Sequence, residues 1–401
     1  MIQWSETHQS VRDMVRDFVE KEIVPHLDDL EYEGLPPYDI LRKFVKTFGL
    51  DEMARASFER RIAEANNPDK KSESDSGRDA ALSLIPTIEI SRHAQGLVTA
   101  MGVSMGLTGG AIMSKGTLEQ KKRWALPLLT LEKVGAWAIT EPNSGSDAFG
   151  QMKSTAKRVD GGYRLNGNKT FITNGPYADT IVFICKLDEE GVPAEQRKIV
   201  SFVLDSGMEG LEQSKPFHKM GIGSSPTGEL FLQDVFVEDD RLLGGNVNSY
   251  GRGGAKATFA QERAGIAAMA LGIVERALEL SVEYAKERKQ FGQAIGEFQL
   301  IQLKLANMEV ARVNIQNMVF RYIEMSQQGL PMSMAEASSM KLYAAQAAMD
   351  VTTQAVQIFG GNGYMREYRV EQLMRDAKIL QIYGGTDEMQ VLAIAKDLLR
   401  D

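Results

Sequence analysis

The spacing of apolar positions changes twice along the chain. Near the start, ETHQSVRDMVRDFVEKEIV sets Val11, Met14, Val15, Phe18 and Val19 on one stripe at helical intervals, which predicts an amphipathic helix. PPYDILRKFVKTFGL begins at prolines and ends near a glycine, so a second helix is expected there. Residues 59–81, ERRIAEANNPDKKSESDSGRDAA in their polar part, are charged and interrupted by a proline and a glycine. They are expected to be an exposed, mobile insertion. Helical spacing resumes in LIPTIEISRHAQGLVTAMGVSM. From about residue 126 the segments shorten: GAWAIT, KSTAKRV, YRLNGNKTFIT, TIVFICKL, KIVSFVL and GELFLQDVFV are rich in β-branched and aromatic residues and separated by turn clusters. From about residue 250 long helical patterns return. ERAGIAAMALGIVERALELSVEYAKERK is apolar almost all round in its first half, as a helix buried in a bundle must be. The predicted fold is α+β and multidomain: an N-terminal α-helical domain (1–125), a small middle β-barrel or sandwich (126–243) and a C-terminal α-helical bundle (244–401).

Composition narrows the functional classes. The chain has 401 residues, enough for two or three domains with a large core, and a net charge of −8. That balance argues against a general nucleic-acid binder, whose affinity rests on neutralising phosphates. One cysteine, Cys185, excludes an internal disulfide, and four scattered histidines give no metal-ligand spacing, so no metal site is expected. No run approaches the roughly 18 apolar residues of a membrane span, and the N-terminus has neither a signal nor a transit pattern. A soluble, cytoplasmic protein is expected. GGNGYM departs from G-x-G-x-x-G and follows a helical pattern instead of a strand, which disfavours a nicotinamide-binding unit.

Five motifs carry a family likeness over nearly the whole length: WAITEPNSGSD (137–147), NGNKTFITNG (166–175), ERKQFGQAIGEFQ (287–299), QIFGGNGY (357–364) and IYGGT (382–386). In this order, and within an α–β–α frame, they resemble the acyl-CoA dehydrogenases. The likeness weakens only over 50–85, where the family usually has a glycine-rich stretch. The resemblance implies a C-terminal four-helix bundle, a bound FAD, an acyl-CoA substrate, an electron-transfer flavoprotein as electron acceptor and a homo-oligomer, a tetramer in the family. It places Trp137, Ile139, Thr140 and Ser146 in a first flavin-facing loop, and Phe171 and Thr173 in a second. Arg288, Gln290, Phe291, Phe298 and Gln299 would reach a flavin of the neighbouring subunit. Gln357, Gly360 and Gly361 would cover its adenosine and pyrophosphate, with Thr386 and Glu388 close to the cofactor. Ser146, Arg263, Tyr383, Gly384 and Gly385 would contact substrate. Taken alone, Thr140 and Ser146 are equally turn-capping residues.

The family removes a proton from Cα of a thioester while the flavin accepts hydride from Cβ. That chemistry requires an oxyanion site and a carboxylate on the face opposite the flavin. Much of the family carries the carboxylate in a Tyr-Glu-Gly-Thr stretch, and the matching residue here is Gly384. Glycine loses the base but keeps the backbone N–H that helps to polarise the thioester carbonyl. Other members place a glutamate on the first bundle helix, immediately before an arginine, and TFAQERAGIAAMALG supplies Glu262 and Arg263 there. An acid leading directly into AGIAAMALGI is costly to bury without a task. Glu262 is therefore expected to be the base and Glu388 the alternative, with Arg263 either on the CoA side, at the pocket entrance or in a structural ion pair. A glycine at 384 is further expected to leave width near Cα for a branched acyl group. Two rival readings are an oxygen-using acyl-CoA oxidase and a catalytically silent subunit of a hetero-oligomer, for which Gly384 would be the signature.

Overall fold

A computed structural model describes residues 3–66, 79–248 and 255–400. The N-terminal part consists of α1 (Glu6–Phe18), α2 (Leu27–Glu31), α3 (Tyr38–Thr47), α4 (Leu50–Asn66), α5 (Ala80–Ser91), α6 (Gln95–Met101), α7 (Gly110–Lys115), α8 (Leu118–Gln120) and α9 (Leu126–Leu129). Helix thus continues to Leu129, past the boundary expected at 125. Ser5 caps α1 by accepting from the His8 N–H. Val15, Phe18 and Val19 are buried as the spacing requires, but Met14 is 55% exposed. The buried stripe also takes in Arg12. Arg12 and Arg16 donate to the fully buried Glu89 of α5 at 2.5 and 2.6 Å.

The expected insertion is shorter than its composition suggests. Residues 59–66 extend α4, Asp79 caps α5 through the Ala81 N–H, and Ala81 is fully buried. The rest of it, 67–78, lies outside the described residues. The membrane-span expectation also needs correction. Gln95–Lys115 is one stretch of helix long and apolar enough to cross a bilayer, and half of it is buried inside the protein. Its Ser104 Oγ accepts from the Gly135 N–H, which ties it to the first strand, as befits a core helix.

The middle part is a single mixed sheet of β1 (Gly135–Ala138), β2 (Thr155–Val159), β3 (Gly162–Thr173), β4 (Thr180–Asp188), β5 (Ile199–Asp205), β6 (Leu211–Gln213) and β7 (Thr227–Glu238). β1 and β2 lie parallel to successive halves of one edge of β4, and β5 pairs with the other edge; β3, β7 and β6 follow β2. The sheet curls instead of forming two stacked layers, and the chain after β7 returns to β5 through a Phe202–Leu242 bridge. TIVFICKL is apolar throughout because both faces of β4 are covered. Ile181, Phe183, Cys185 and Leu187 enter one core, and Val182 and Ile184 enter another with Trp124 and Leu128.

The C-terminal part contains α10 (Ala255–Glu287), a two-stranded ribbon of β8 (Lys289–Gln290) and β9 (Gln293–Ala294), α11 (Gln299–Gln327), α12 (Met334–Phe359), α13 (Val370–Lys378) and α14 (Asp387–Leu398). α10 is the central helix, with Ala267, Ala268, Leu271, Ile273 and Val274 fully buried. Its core is completed by Ala81, Leu84 and Ile88 of α5. The two helices touch backbone to backbone, since a Cβ on Gly272 would lie 2.1 Å from the Ile88 carbonyl oxygen.

Candidate functional site

On α10, Glu262, Ile266 and Met269 recur at intervals of four and three and share one face. The turn Ile382–Thr386, between α13 and α14, packs on that face. Glu262 is half-buried; burial raises its pKa, while the charges of Arg263 and Lys341 pull the other way. Gly384 holds φ +61, where glycine pays no steric cost. A Cβ built there would lie 3.6 Å from Glu262 Oε1, so a side chain at 384 and the carboxylate of Glu262 converge on one place. The same Cβ would lie 2.5 Å from Ile266 Cδ1. Ile266 therefore fills the volume that a missing side chain was expected to leave open, and the argument for extra width near Cα fails.

Two residues absent from the sequence-derived site hold this turn. Lys341 of α12, fully buried, donates to the Gly385 carbonyl at 2.9 Å and faces Asp387 Oδ1 at 3.4 Å. Gln390 of α14 donates to the carbonyls of Gly384 (3.1 Å) and Gly385 (2.8 Å). With those carbonyls engaged, the Gly384 N–H donates to no backbone carbonyl among the described residues. Tyr383 points inward: its hydroxyl accepts from Gln95 at 3.0 Å and donates to Met269 Sδ at 3.1 Å. Burial pushes that hydroxyl up to about 12, so it is a neutral donor and acceptor at ordinary pH. Arg263 is half-buried with Nη1 against Met334 Sδ. Glu388 does not join the cluster. It is exposed in the first turn of α14, its carboxylate held low by its own backbone N–H and by Thr386. Thr386 caps that helix by accepting from the Met389 N–H.

A second region lies where β1 and β3 run out. Trp137 is the half-buried third residue of β1, and Ile139 and Thr140 continue from it; Ser146 is exposed in the following turn. The Thr140 carbonyl accepts from the Thr170 N–H. The two loops are joined by a buried ion pair that sequence spacing does not reveal. Lys169 Nζ donates to Glu141 Oε1 at 2.9 Å and to the Ile139 carbonyl at 3.0 Å, and Glu141 also accepts from the Lys153 and Ser154 N–H groups. Burial alone would raise the Glu141 carboxyl, but hydrogen bonds from Ser154, Lys153 and Lys169 hold it below its usual range. Immediately after Lys169 the ladder between β3 and β7 slips, and Phe171 takes φ +57. This bulge leaves the ring 68% exposed, with Thr173 half-buried beyond it. A non-glycine residue held at positive φ costs about 1–2 kcal/mol, a strain that marks functional segments. Asn174 then turns the chain at φ +64, donating to the Ala100 and Gly135 carbonyls and accepting from the Tyr38 hydroxyl.

The remaining flavin-facing candidates lie elsewhere. Arg288, Gln290 and Phe291 are exposed at the ribbon beyond α10 and Gln299 is exposed at the start of α11, with Phe298 half-buried before it; Phe291 is 96% exposed at φ +51. From Glu262 to the end of α10 is about 37 Å at 1.5 Å per residue, so this ribbon does not meet the Glu262 cluster of its own chain. Gln357 and Gly360 are exposed at the end of α12. Gly361 has open space where a Cβ would stand, so no contact among the described residues explains its glycine.

The acyl-CoA dehydrogenase N-terminal, middle and C-terminal domains match residues 5–66, 136–235 and 250–399. The chain is 36% identical over 396 residues to the short-chain-specific acyl-CoA dehydrogenase of Megasphaera elsdenii, covering 99% of each. It is 35% identical over 398 residues to the caffeyl-CoA reductase–Etf complex subunit CarC of Acetobacterium woodii, again covering 99% of each. The solved butyryl-CoA dehydrogenase of Megasphaera elsdenii superposes over 100% of both chains with a TM-score of 0.82 and 34% identity.

Proposed function

The chain belongs to the acyl-CoA dehydrogenase family, and on that premise we propose that Glu262 is the base in α,β-dehydrogenation of an acyl-CoA thioester. The observation that carries this reading is the 3.6 Å between Glu262 Oε1 and the Cβ position of Gly384. A carboxylate stands where a side chain at 384 would bring one, so glycine at 384 does not leave the pocket without a base. The silent-subunit alternative loses its motivation for the same reason.

FAD, when bound, would supply the hydride acceptor for Cβ. Trp137, Ile139, Thr140, Phe171 and Thr173 would hold it from one chain, and Arg288, Gln290, Phe291 and Gln299 from a second copy. The length of α10 supports that division and with it a homo-oligomer, which we propose is a tetramer as in the family. Glu262 takes the Cα proton and becomes a neutral carboxylic acid. Burial raises its basicity, and the nearby Arg263 and Lys341 keep enough of it ionised to act. The Gly384 N–H hydrogen-bonds the thioester carbonyl oxygen, which acidifies Cα. Tyr383 and Ile266 keep water from the Cα face. The product is a trans-2-enoyl thioester, and electrons leave to an electron-transfer flavoprotein; the CarC relative, named as a subunit of an Etf complex, supports that partner. We place the reaction in acyl-CoA β-oxidation in the cytoplasm.

Glu262→Gln tests the assignment. The variant should retain FAD and bind acyl-CoA, while anaerobic flavin reduction slows by about 10²–10⁴-fold, the usual contribution of a positioned base. Near-normal reduction would show that another group takes the proton.

A further inference from the structure

We propose that Lys341 is a positioning residue for proton transfer, its buried ammonium fixing the Gly384–Gly385 turn and supplying the charge that keeps Glu262 ionised. The inference rests on Glu262 being the base. Lys341 projects from α12 with its side chain fully buried, its Nζ 2.9 Å from the Gly385 carbonyl oxygen and 3.4 Å from Asp387 Oδ1. Burying an ammonium is expensive, and burial indeed lowers its own pKa. A neutral donor would suffice to hold one carbonyl, because Gln390 already binds the carbonyls of both Gly384 and Gly385. Asp387 likewise has other donors, Gln346 at 3.3 Å and Gln381 at 3.2 Å. The ion pair with Asp387 gives the charge of Lys341 one purpose, and its grip on the turn beside Glu262 brings it within reach of a second.

The charges around Glu262 supply one. Arg263 stands beside it on α10, Lys341 holds from α12 the turn whose Gly384 Cβ position lies 3.6 Å from Glu262 Oε1, and Tyr383 comes from the turn as a neutral hydroxyl. Asp387 and Glu388 begin α14; the first is paired with Lys341 and the second is exposed. Arg263 and Lys341 are thus the two cations that oppose the burial of Glu262. Lys341 also grips the turn that carries the Gly384 N–H, so one side chain aligns the carbonyl-binding N–H and maintains the ionised base.

The test is the pH dependence of anaerobic flavin reduction in Lys341→Gln, which keeps a donor for the Gly385 carbonyl but no charge. The acid limb should move to higher pH, with the rate on that limb falling on the order of tenfold relative to the plateau of the variant itself. Asp387→Asn removes the counter-charge of Lys341 and should move the limb to lower pH. Opposite displacements are not expected of a residue that only holds the fold. A second readout needs no turnover: infrared titration of the carboxylic acid band that Glu262→Gln abolishes should show the same two displacements. If Lys341→Gln does not fold, the Asp387→Asn displacement decides alone. Unmoved profiles in variants that fold overturn the role of Lys341 while leaving Glu262 as base. Normal reduction in Glu262→Gln would instead remove the premise.

Discussion

Lys169→Met should cost about 3 kcal/mol of stability and loosen the flavin-facing loops. The lysine is fully buried and makes two hydrogen bonds, to Glu141 Oε1 and to the Ile139 carbonyl. Removing one partner of a buried ion pair costs about 3–5 kcal/mol, because the other charge stays buried and uncompensated. Two features place the expected value at the lower end. Glu141 keeps its hydrogen bonds from the Lys153 and Ser154 N–H groups, and a methionine sulfur offsets part of the lost cation–π contact with Phe183, whose ring centroid lies 5.2 Å from Nζ. Urea unfolding of the flavin-free protein at pH 7 gives the cost, and ultrafiltration gives FAD retention. Adding Glu141→Gln should recover much of the loss, since the stranded charge disappears. The deficit should also shrink in acid. Glu141 in the intact protein has a depressed pKa, so its stabilising contribution is present above the ordinary carboxylate range and is lost as pH falls through the folded value. A cost below about 1 kcal/mol, or a double variant no better than the single one, would refute the assignment of energy to this pair.

Gly384→Ala should destabilise the protein by about 1–2 kcal/mol, because φ +61 is strained for alanine and its Cβ must displace Ile266 Cδ1; Ile266→Val should return part of this in thermal unfolding. Arg288→Ala should release FAD on gel filtration while leaving the unfolding midpoint of the apoprotein nearly unchanged, since the side chain is exposed on its own chain. Burial and the charge of Glu31 raise Asp376 to about 8, against an unfolded value near 3.9. A raised acid binds more protons folded than unfolded, so its contribution falls as pH rises from about 4 to about 8. Asp376→Asn should flatten that decline in unfolding midpoints at pH 5, 7 and 9, and parallel curves for the two proteins would contradict it.

Periodicity made the large elements legible because each face of an element must meet one environment. α10 is apolar all round and central, and β4 is apolar throughout because both its faces are covered. β6 escaped notice because three residues, Leu211–Gln213, are too few to show a period. Met14 left its expected place on the apolar stripe, and a buried ionic network holds Arg12 there. The same physics hid Lys341 and the Glu141–Lys169 pair. A lysine inside an apolar helical pattern reads as a solvated face until its buried partner is known, and that partner lies far along the chain. Glu262 was legible from the resemblance and from the apolar run after it. The role of Ile266 was not, because its δ-methyl group matters only once the 382–386 turn is seen to pack on α10.

The backbone contact between α5 and α10 has a consequence for how the protein is made. Ile88 and Glu89 emerge from the ribosome early, but Gly272, Glu275 and Glu279, which cover Ile88 and, through Arg12 and Arg92, tie into the network around Glu89, come much later. At about 5–20 residues per second, roughly 190 residues of further synthesis leave α5 waiting some 10–40 s with its apolar face uncovered and with Arg12 and Arg92 lacking Glu275 and Glu279. The nascent N-terminal half therefore cannot mature as an independent unit. It should depend on holding chaperones during translation, and a truncated first half should aggregate where the full chain folds.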